Sequence, residues 1–322
     1  MYWFTVLTPT RNRRHAIHRV YESLLSQTFR SFEWLVVDNG STDDTRDLVS
    51  RWQEESSLEI VYLTEFVEGK HHALNKGMAH AKGYLTVLQD DDDTCRSDTL
   101  ATLRSLWLLI APHERTLFAG IVSCCQDQHG RLVGKRFPAD PMLDFMVRVK
   151  YSHRIWDEKY NCFLTSILLA HPFPSIPGTR CVPEGLVWGE LFRRYKFVMT
   201  NQVLRTYFVG EDNDNLGSRH PSRFQRNGRG YLAAYLDEMK ELDYFFSWPS
   251  HFLLLGTKIW RISCHINQVI DVLKAIENTR VSIILLITFP IGMIVYICDK
   301  LFEGLSKLRS ALTARQEKKK GK

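Results

Sequence analysis

From Tyr2 to Asp93 strand-like and helix-like segments alternate, and the fourth strand-like segment, TVLQDDDD (residues 86–93), runs straight into four aspartates. Tyr2–Leu7 is rich in β-forming residues and stops at Pro9. Ile17, Val20, Leu24 and Leu25 then recur at helical spacing between Arg13 and Gln27. Phe32–Val37 (FEWLVV) is a continuous apolar run followed by DNGSTDDT, where Ser41 and Asp44 stand at capping-box spacing and open a second helix toward Trp52. Leu58–Leu63 reads as a third strand and Lys70–Ala81 as a third helix, and Gly83 begins the fourth strand. This alternation predicts right-handed βαβ units and a parallel sheet covered on both faces.

Ligands of such sheets gather at the carboxyl ends of the strands. Three polar clusters fall there: Thr8–Arg11, Asp38–Ser41 and Asp90–Asp93. All three are expected to face one crevice. Neither a dinucleotide-binding glycine fingerprint nor a P-loop accompanies them.

Four like charges at the end of a buried strand call for a counter-charge. Carboxylates at i and i+2, here Asp90 and Asp92, can turn toward one divalent cation. Hard oxygen ligands suit Mg²⁺ or Mn²⁺, which complete their shells with waters and substrate phosphates. The structural alternative is a solvated acidic loop, with Asp93 serving as a cap for a helix over Thr94–Leu106. Adjacent His71 and His72 point about 100° apart on a helix and do not make a metal pair.

FTVLTPTRNR, LVVDNGSTDDT and HHALNKGMAHAKGYLTVLQDDDD, in order and together covering roughly residues 3–100, resemble a family 2 glycosyltransferase of the GT-A fold. The resemblance implies a Rossmann-like α/β sheet, mostly parallel with flanking helices, and transfer of a sugar with inversion. Asp90 and Asp92 resemble the ends of a DxD motif, with Asp92 the direct metal ligand. Asp38 resembles the aspartate that holds the nucleotide, a role suited to a carboxylate accepting from a uracil imide or ribose hydroxyls. Thr8, Pro9 and Arg11 would line the base and phosphate side, although Arg11 equally reads as a surface arginine. Lys70, at a helix start, is a candidate phosphate contact or a solvated lysine.

Inversion needs a base to take the acceptor hydroxyl's proton. The best positional match is Glu184 in VPEGLVWGELF, followed by Gly185 where the family pattern has an aspartate. Glu190, Asp212 and Asp214 are the alternatives. Trp188 reads either as a sugar-stacking wall or as core. The polar loop GEDNDNLGSRHPSR (residues 210–223) reads as a lid or acceptor loop, or as plain loop.

The 322 residues are 44% hydrophobic, enough for a substantial core. The net charge of +6 is a property of the tail: residues 299–322 hold eight basic and three acidic residues, leaving 34 and 33 elsewhere. Seven cysteines without a CxxC pair suit a reducing compartment and argue against a zinc site. MYWFTVLTPT enters a strand pattern directly and does not read as a signal peptide.

VSIILLITFPIGMIVYIC (residues 281–298) carries no charge, and as a helix its 18 residues would rise about 27 Å, just short of a ~30 Å hydrocarbon core. Basic residues lie on both flanks, Lys274 and Arg280 before it and the tail after it. A monotopic or re-entrant attachment keeps both flanks on one side of the membrane, against the single span. Upstream, FFSWPSHFLLLGTKIWR is of interfacial composition.

The expectation is therefore a GT-A domain over residues 1–210, with a nucleotide-binding half (1–100) and an acceptor half (101–210). A helical extension (211–280) and a membrane-associating segment with a basic tail (281–322) follow. Function is expected to be transfer from a nucleotide-sugar donor, a UDP-sugar first among them, to a lipid-linked or surface-glycan acceptor. It would use Mn²⁺ or Mg²⁺ at the cytoplasmic face of a membrane contacted through residues 245–322, with no nucleic-acid partner. A catalytically silent membrane scaffold is the alternative. A sugar nucleotidyltransferase is a more distant one, because TPTRNR lacks the glycines of a triphosphate loop.

Overall fold

A computed structural model describes residues 2–208, 223–274 and 279–320. They form two compact units: one from the described residues up to Ser175 with those from Val182 to Phe208, the other from Ile176–Cys181 with the described residues from Arg223 onward. Asp212, Asp214 and nearly all of the loop 210–223 lie outside the described residues.

The first unit runs β1 (Tyr2–Thr10), α1 (His18–Leu25), β2 (Phe32–Asp38), α2 (Thr45–Glu55), β3 (Ile60–Thr64), α3 (Lys70–His80), β4 (Gly83–Leu88) and β5 (Thr94–Cys95). It continues with α4 (Thr99–Leu108), β6 (Phe118–Asp127), β7 (Met142–Phe145), α5 (Met146–His153), β8 (Lys159–Leu164), α6 (Thr165–Ala170), α7 (Gly185–Arg194) and β9 (Lys196–Tyr207). The strands share one nine-stranded sheet in the order β3-β2-β1-β4-β8-β6-β9-β5, with β7 also pairing β9. The expected parallel core is β3-β2-β1-β4. Beyond it the sheet is mixed, since β8 lies antiparallel to both β4 and β6 while β6 and β9 run parallel. Leu132 makes an isolated antiparallel bridge to Gln126.

Alternation along β1 assigns its two faces. Phe4 and Val6 join Ile17, Val20, Leu24 and Trp34 in the buried cluster beneath α1. Leu7 faces α3, so closely that a Cβ at Gly77 would fall 2.2 Å from Leu7 Cδ1. Gly83 lets β4 start against β1: a Cβ there would lie 2.2 Å from the Thr5 backbone nitrogen. Buried Glu33 closes this corner, accepting from Thr5 Oγ1 at 2.6 Å and from the Lys82 backbone N–H at 2.7 Å.

Two local expectations are corrected. Ser41 does not cap α2. Its hydroxyl donates to Asp38 Oδ1 at 2.7 Å, and Asp43 instead accepts from the Thr45 N–H and hydroxyl at the helix start. Asp93 caps no helix either, because Thr94–Cys95 pair with β9 and α4 begins only at Thr99.

The second unit is helical: α8 (Arg223–Glu238), α9 (Pro249–His265), α10 (Val269–Lys274) and α11 (Thr279–Lys320). Trp260 of α9 donates from Nε1 to the Leu285 carbonyl of α11 at 2.7 Å. Asp299 of α11 takes a bidentate pair from Arg261 (2.6 and 2.7 Å) and a contact from His265 Nε2 at 2.9 Å, so its charge is met inside the helix pair. α11 runs through Pro290 as one helix, without the reversal of a re-entrant path. Residues 279–305 have a mean hydropathy of 2.5 over their most apolar window, only 22% of which is buried. At 1.5 Å per residue these 27 residues reach about 40 Å, longer than the uncharged run alone.

Candidate active site

The carboxyl ends of β1 and β4, the starts of α3 and α7, and strands β8 and β9 enclose one cleft. It is lined by Pro9, Lys70, Leu74, Leu88, Gln89, Asp90, Glu158, Lys159, Asn161, Glu184 and Arg205. Of the residues singled out in the sequence, Pro9, Lys70, Asp90 and Glu184 meet here. Lys70 joins Asp90 to Glu184, its Nζ 2.6 Å from Asp90 Oδ1 and 2.8 Å from Glu184 Oε1. Glu184 begins α7 yet makes no side-chain cap; its other oxygen accepts from Trp188 Nε1 at 3.1 Å.

The remaining expected residues lie apart from this lining. Thr8 is fully buried and its hydroxyl accepts from Trp34 Nε1 at 3.0 Å, which makes it a core group. Arg11 is an exposed arginine paired with Glu68 at 2.7 Å. Asp38 stands at the end of β2, but its oxygens already accept from the Ser41 N–H and hydroxyl and from the Tyr62 hydroxyl. Asp92 faces Arg13 at 4.0 Å. Glu190 pairs with Arg194 at 3.2 Å outside the cleft. Trp188 is buried among Phe163 and Phe173, a core tryptophan rather than a sugar wall.

The aspartate run resolves into four different environments. Burial opposes ionisation of Asp90, but the charges of Lys70 and Arg205 outweigh it and hold the carboxyl below its usual range. Burial pushes Asp91 up to about 7 and Asp93 up to about 8. Burial and the Asp90 charge raise Asp92 as well. Burial thus disfavours the charged forms of Asp91, Asp92 and Asp93, and Arg13, Lys70 and Arg205 lie against the run as counter-charges. Lys70 is held charged: burial works against its ammonium, and Asp90 and Glu184 more than compensate.

Asp90 and Asp92 offer hard carboxylate oxygens. Asp93 Oδ2 is buried and accepts no hydrogen bond, its nearest cation being Arg205 Nε at 3.4 Å. Among the described residues no group of three or more His, Cys, Asp or Glu is placed to hold a metal by itself. That donor set fits Mg²⁺ or Mn²⁺, which take part of their shell from substrate phosphates, and does not fit a closed structural site.

Residues 5–126 match the family model "Glycosyl transferase family 2". This part of the chain is a family 2 glycosyltransferase domain. A Campylobacter jejuni relative, GalNAc(5)-diNAcBac-PP-undecaprenol beta-1,3-glucosyltransferase, is 31% identical over 100 residues, 31% of this chain and 32% of that protein. The match thus spans about a third of the length of such curated relatives. The crystal structure of S. aureus TarS 1–349 with UDP-GlcNAc is similar at a TM-score of 0.56 and 18% identity, over 84% of this chain and 82% of that one. The mannosyltransferase PcManGT from Pyrobaculum calidifontis, with GDP-Man and Mn²⁺, gives 0.55 and 18% over 93% and 82%. The glycosyltransferase domain thus has the GT-A fold expected from its sequence.

Besides Leu74, Leu88 and Gln89, the cleft residues that escaped the sequence reading are Glu158, Lys159, Asn161 and Arg205, all beyond the residues that match the family model. Arg205 is 4% exposed and reaches Glu158 at 2.5 Å, Asp93 at 3.4 Å and Asp90 at 3.5 Å. The available signal was a lone arginine inside a β-rich segment, NQVLRTYF. Its partners are 47 to 115 residues away in sequence, so only the fold joins them.

Proposed function

We propose that the chain is a metal-dependent inverting glycosyltransferase that moves a sugar from a nucleotide donor to a lipid-linked or surface-glycan acceptor. The observation that carries this reading is the bridge of Lys70 between Asp90 and Glu184 across one cleft. It sets a diphosphate-and-metal end beside a carboxylate that becomes available as base once Lys70 turns to the diphosphate. Asp90 and Asp92, the ends of a DxD motif, would hold Mn²⁺ or Mg²⁺, which supplies positive charge to the departing nucleoside diphosphate. Lys70 exchanges its carboxylate partners for diphosphate oxygens, and Pro9 closes the cleft beside them. Glu184, oriented by Trp188, accepts the acceptor hydroxyl's proton as that oxygen attacks the anomeric carbon. Asp38 orders the β2 turn on which the nucleoside rests.

The nucleotide half is assigned to residues 1–100 and the acceptor half to 101–210. Membrane contact at the cytoplasmic face is assigned to residues 245–322, supported by the exposed apolar side chains of α11, among them Leu286, Ile287, Ile294 and Leu301. The lipid-linked acceptor draws support from that helix and from the polyprenyl-linked substrate in the relative's name.

The test is release of nucleoside diphosphate, and sugar transfer to extracted membrane lipid, from a panel of sugar nucleotides by the pure protein. Transfer that stops with EDTA is expected. Metal-independent transfer refutes the metal assignment, and transfer only to soluble acceptors, unchanged on deleting residues 245–322, refutes the lipid assignment.

A further inference from the structure

Most charged groups lining the cleft are paired with one another. Lys70 meets Asp90 and Glu184; Arg205 meets Asp90, Asp93 and Glu158. Two polar groups are left over, and both belong to β8. Lys159 is 7% exposed and has no ion-pair partner among the described residues; its Nζ makes one long bond, 3.4 Å, to the Glu158 main-chain carbonyl. Asn161 Oδ1 is buried and accepts no hydrogen bond.

Residues two apart on a strand share a face about 7 Å apart, so these groups form one patch on the cleft wall. A buried ammonium without an anion and a buried amide oxygen without a donor are both costly, and a ligand that supplies the missing partners relieves both. The diphosphate has its counter-charges at Lys70 and the aspartate end, and the reacting carbon belongs near Glu184. What remains to face β8 is the rest of the transferred sugar.

We infer that Lys159 and Asn161 form a subsite for an acidic sugar, the ammonium taking a sugar carboxylate and Asn161 Oδ1 a neighbouring hydroxyl. The inference rests on the donor reading above. It narrows the substrate class to sugars that carry a carboxylate, such as hexuronic acids. A neutral hydroxymethyl group in the same place offers Lys159 a dipole but leaves its charge unmatched.

The test uses the full chain with Mn²⁺ and whichever of UDP, GDP, CDP and dTDP binds. Three ligands are compared by calorimetry: that nucleotide, its glucose conjugate and its glucuronate conjugate. Wild type is expected to bind the glucuronate conjugate about tenfold more tightly than the glucose conjugate. Lys159→Met is expected to abolish that preference and leave affinity for the bare nucleotide unchanged. Its melting temperature should not fall, because the variant removes an unpaired buried charge. Lys159→Gln provides a second variant should Lys159→Met not fold. Equal binding of the two conjugates by wild type overturns the inference alone. So does a Lys159 variant that weakens the bare nucleotide by the same factor, which would assign Lys159 to the diphosphate. Failure of all four nucleotides to bind overturns the donor reading and this inference with it.

Discussion

The ammonium of Lys70 lies 2.6 Å from Asp90 Oδ1, and that ion pair joins the end of β4 to the first residue of α3. Because Lys70 also reaches Glu184, one side chain holds together two carboxylates that the proposed reaction assigns to opposite partners. At Lys70 the cleft is charge-matched without ligand, so a diphosphate there must exchange existing bonds rather than fill empty ones.

Lys70→Met therefore acts in two directions. Loss of a charge-assisted contact should weaken nucleoside diphosphate binding about tenfold or more. Removal of the competing ammonium should strengthen Mn²⁺ binding in the absence of nucleotide. Calorimetry with the metal and the nucleotide separately checks both signs.

Glu184→Gln keeps the hydrogen bond from Trp188 but cannot accept a proton. Turnover should fall about 10²–10⁴-fold with donor affinity little changed. Steady-state kinetics beside nucleotide binding separate this from a structural loss, and full turnover by Glu184→Gln would move the base elsewhere.

Arg205 touches no expected reacting atom; it positions Asp90 and Asp93 from β9. Arg205→Met should lower metal-supported nucleotide affinity by about 10–100-fold, as loss of a ligand's supporting partner does. Arg205→Lys should restore part of it. A variant that loses only thermal stability, with nucleotide affinity intact, would reduce Arg205 to a structural residue.

Much of this fold was readable because hydrophobic period reports which face of an element is buried. FEWLVV became β2 and the run before the aspartates became β4. The failures sit where tertiary contacts outbid local pattern. Helical spacing from Arg13 onward suggested a helix, yet α1 starts only at His18. The Arg13 N–H donates to Thr45 Oγ1 at 3.2 Å, the Arg14 N–H to Asp43 at 3.1 Å, and the Arg13 guanidinium lies 3.4 Å from Asp91. Ser41 matched a capping pattern but serves Asp38. Thr8 matched a ligand-facing position but points into the core, since alternation along β1 puts it on the side of Phe4 and Val6. The β8 and β9 contributions to the cleft were illegible for another reason: no local signal pairs residues so far apart along the chain.

Burial lowers His71 to about 4, with a smaller contribution from neighbouring His72. The unfolded chain takes up that proton near pH 6.5, so His71 supports stability fully above about 6.5 and loses this contribution as pH falls toward 4. Melting temperature should drop across that window in wild type and drop less in His71→Phe. Parallel curves for the two proteins would exclude the assignment.

Gly83→Ala should destabilise the domain by about 1–3 kcal/mol or more, because its Cβ would strike the β1 backbone, which cannot turn away as a side chain can. Urea unfolding measures it, and an unchanged midpoint would contradict the close approach.

The central claim is that the strand-end aspartates bind a nucleoside diphosphate through a divalent cation. Calorimetric titration of UDP, GDP, CDP and dTDP into the pure protein with Mn²⁺, Mg²⁺ or EDTA tests it directly, with Asp92→Asn alongside. The account predicts binding of one nucleotide with metal, lost in EDTA and lost in Asp92→Asn. Equal affinity in EDTA, or an Asp92→Asn variant that binds as wild type does, would contradict it.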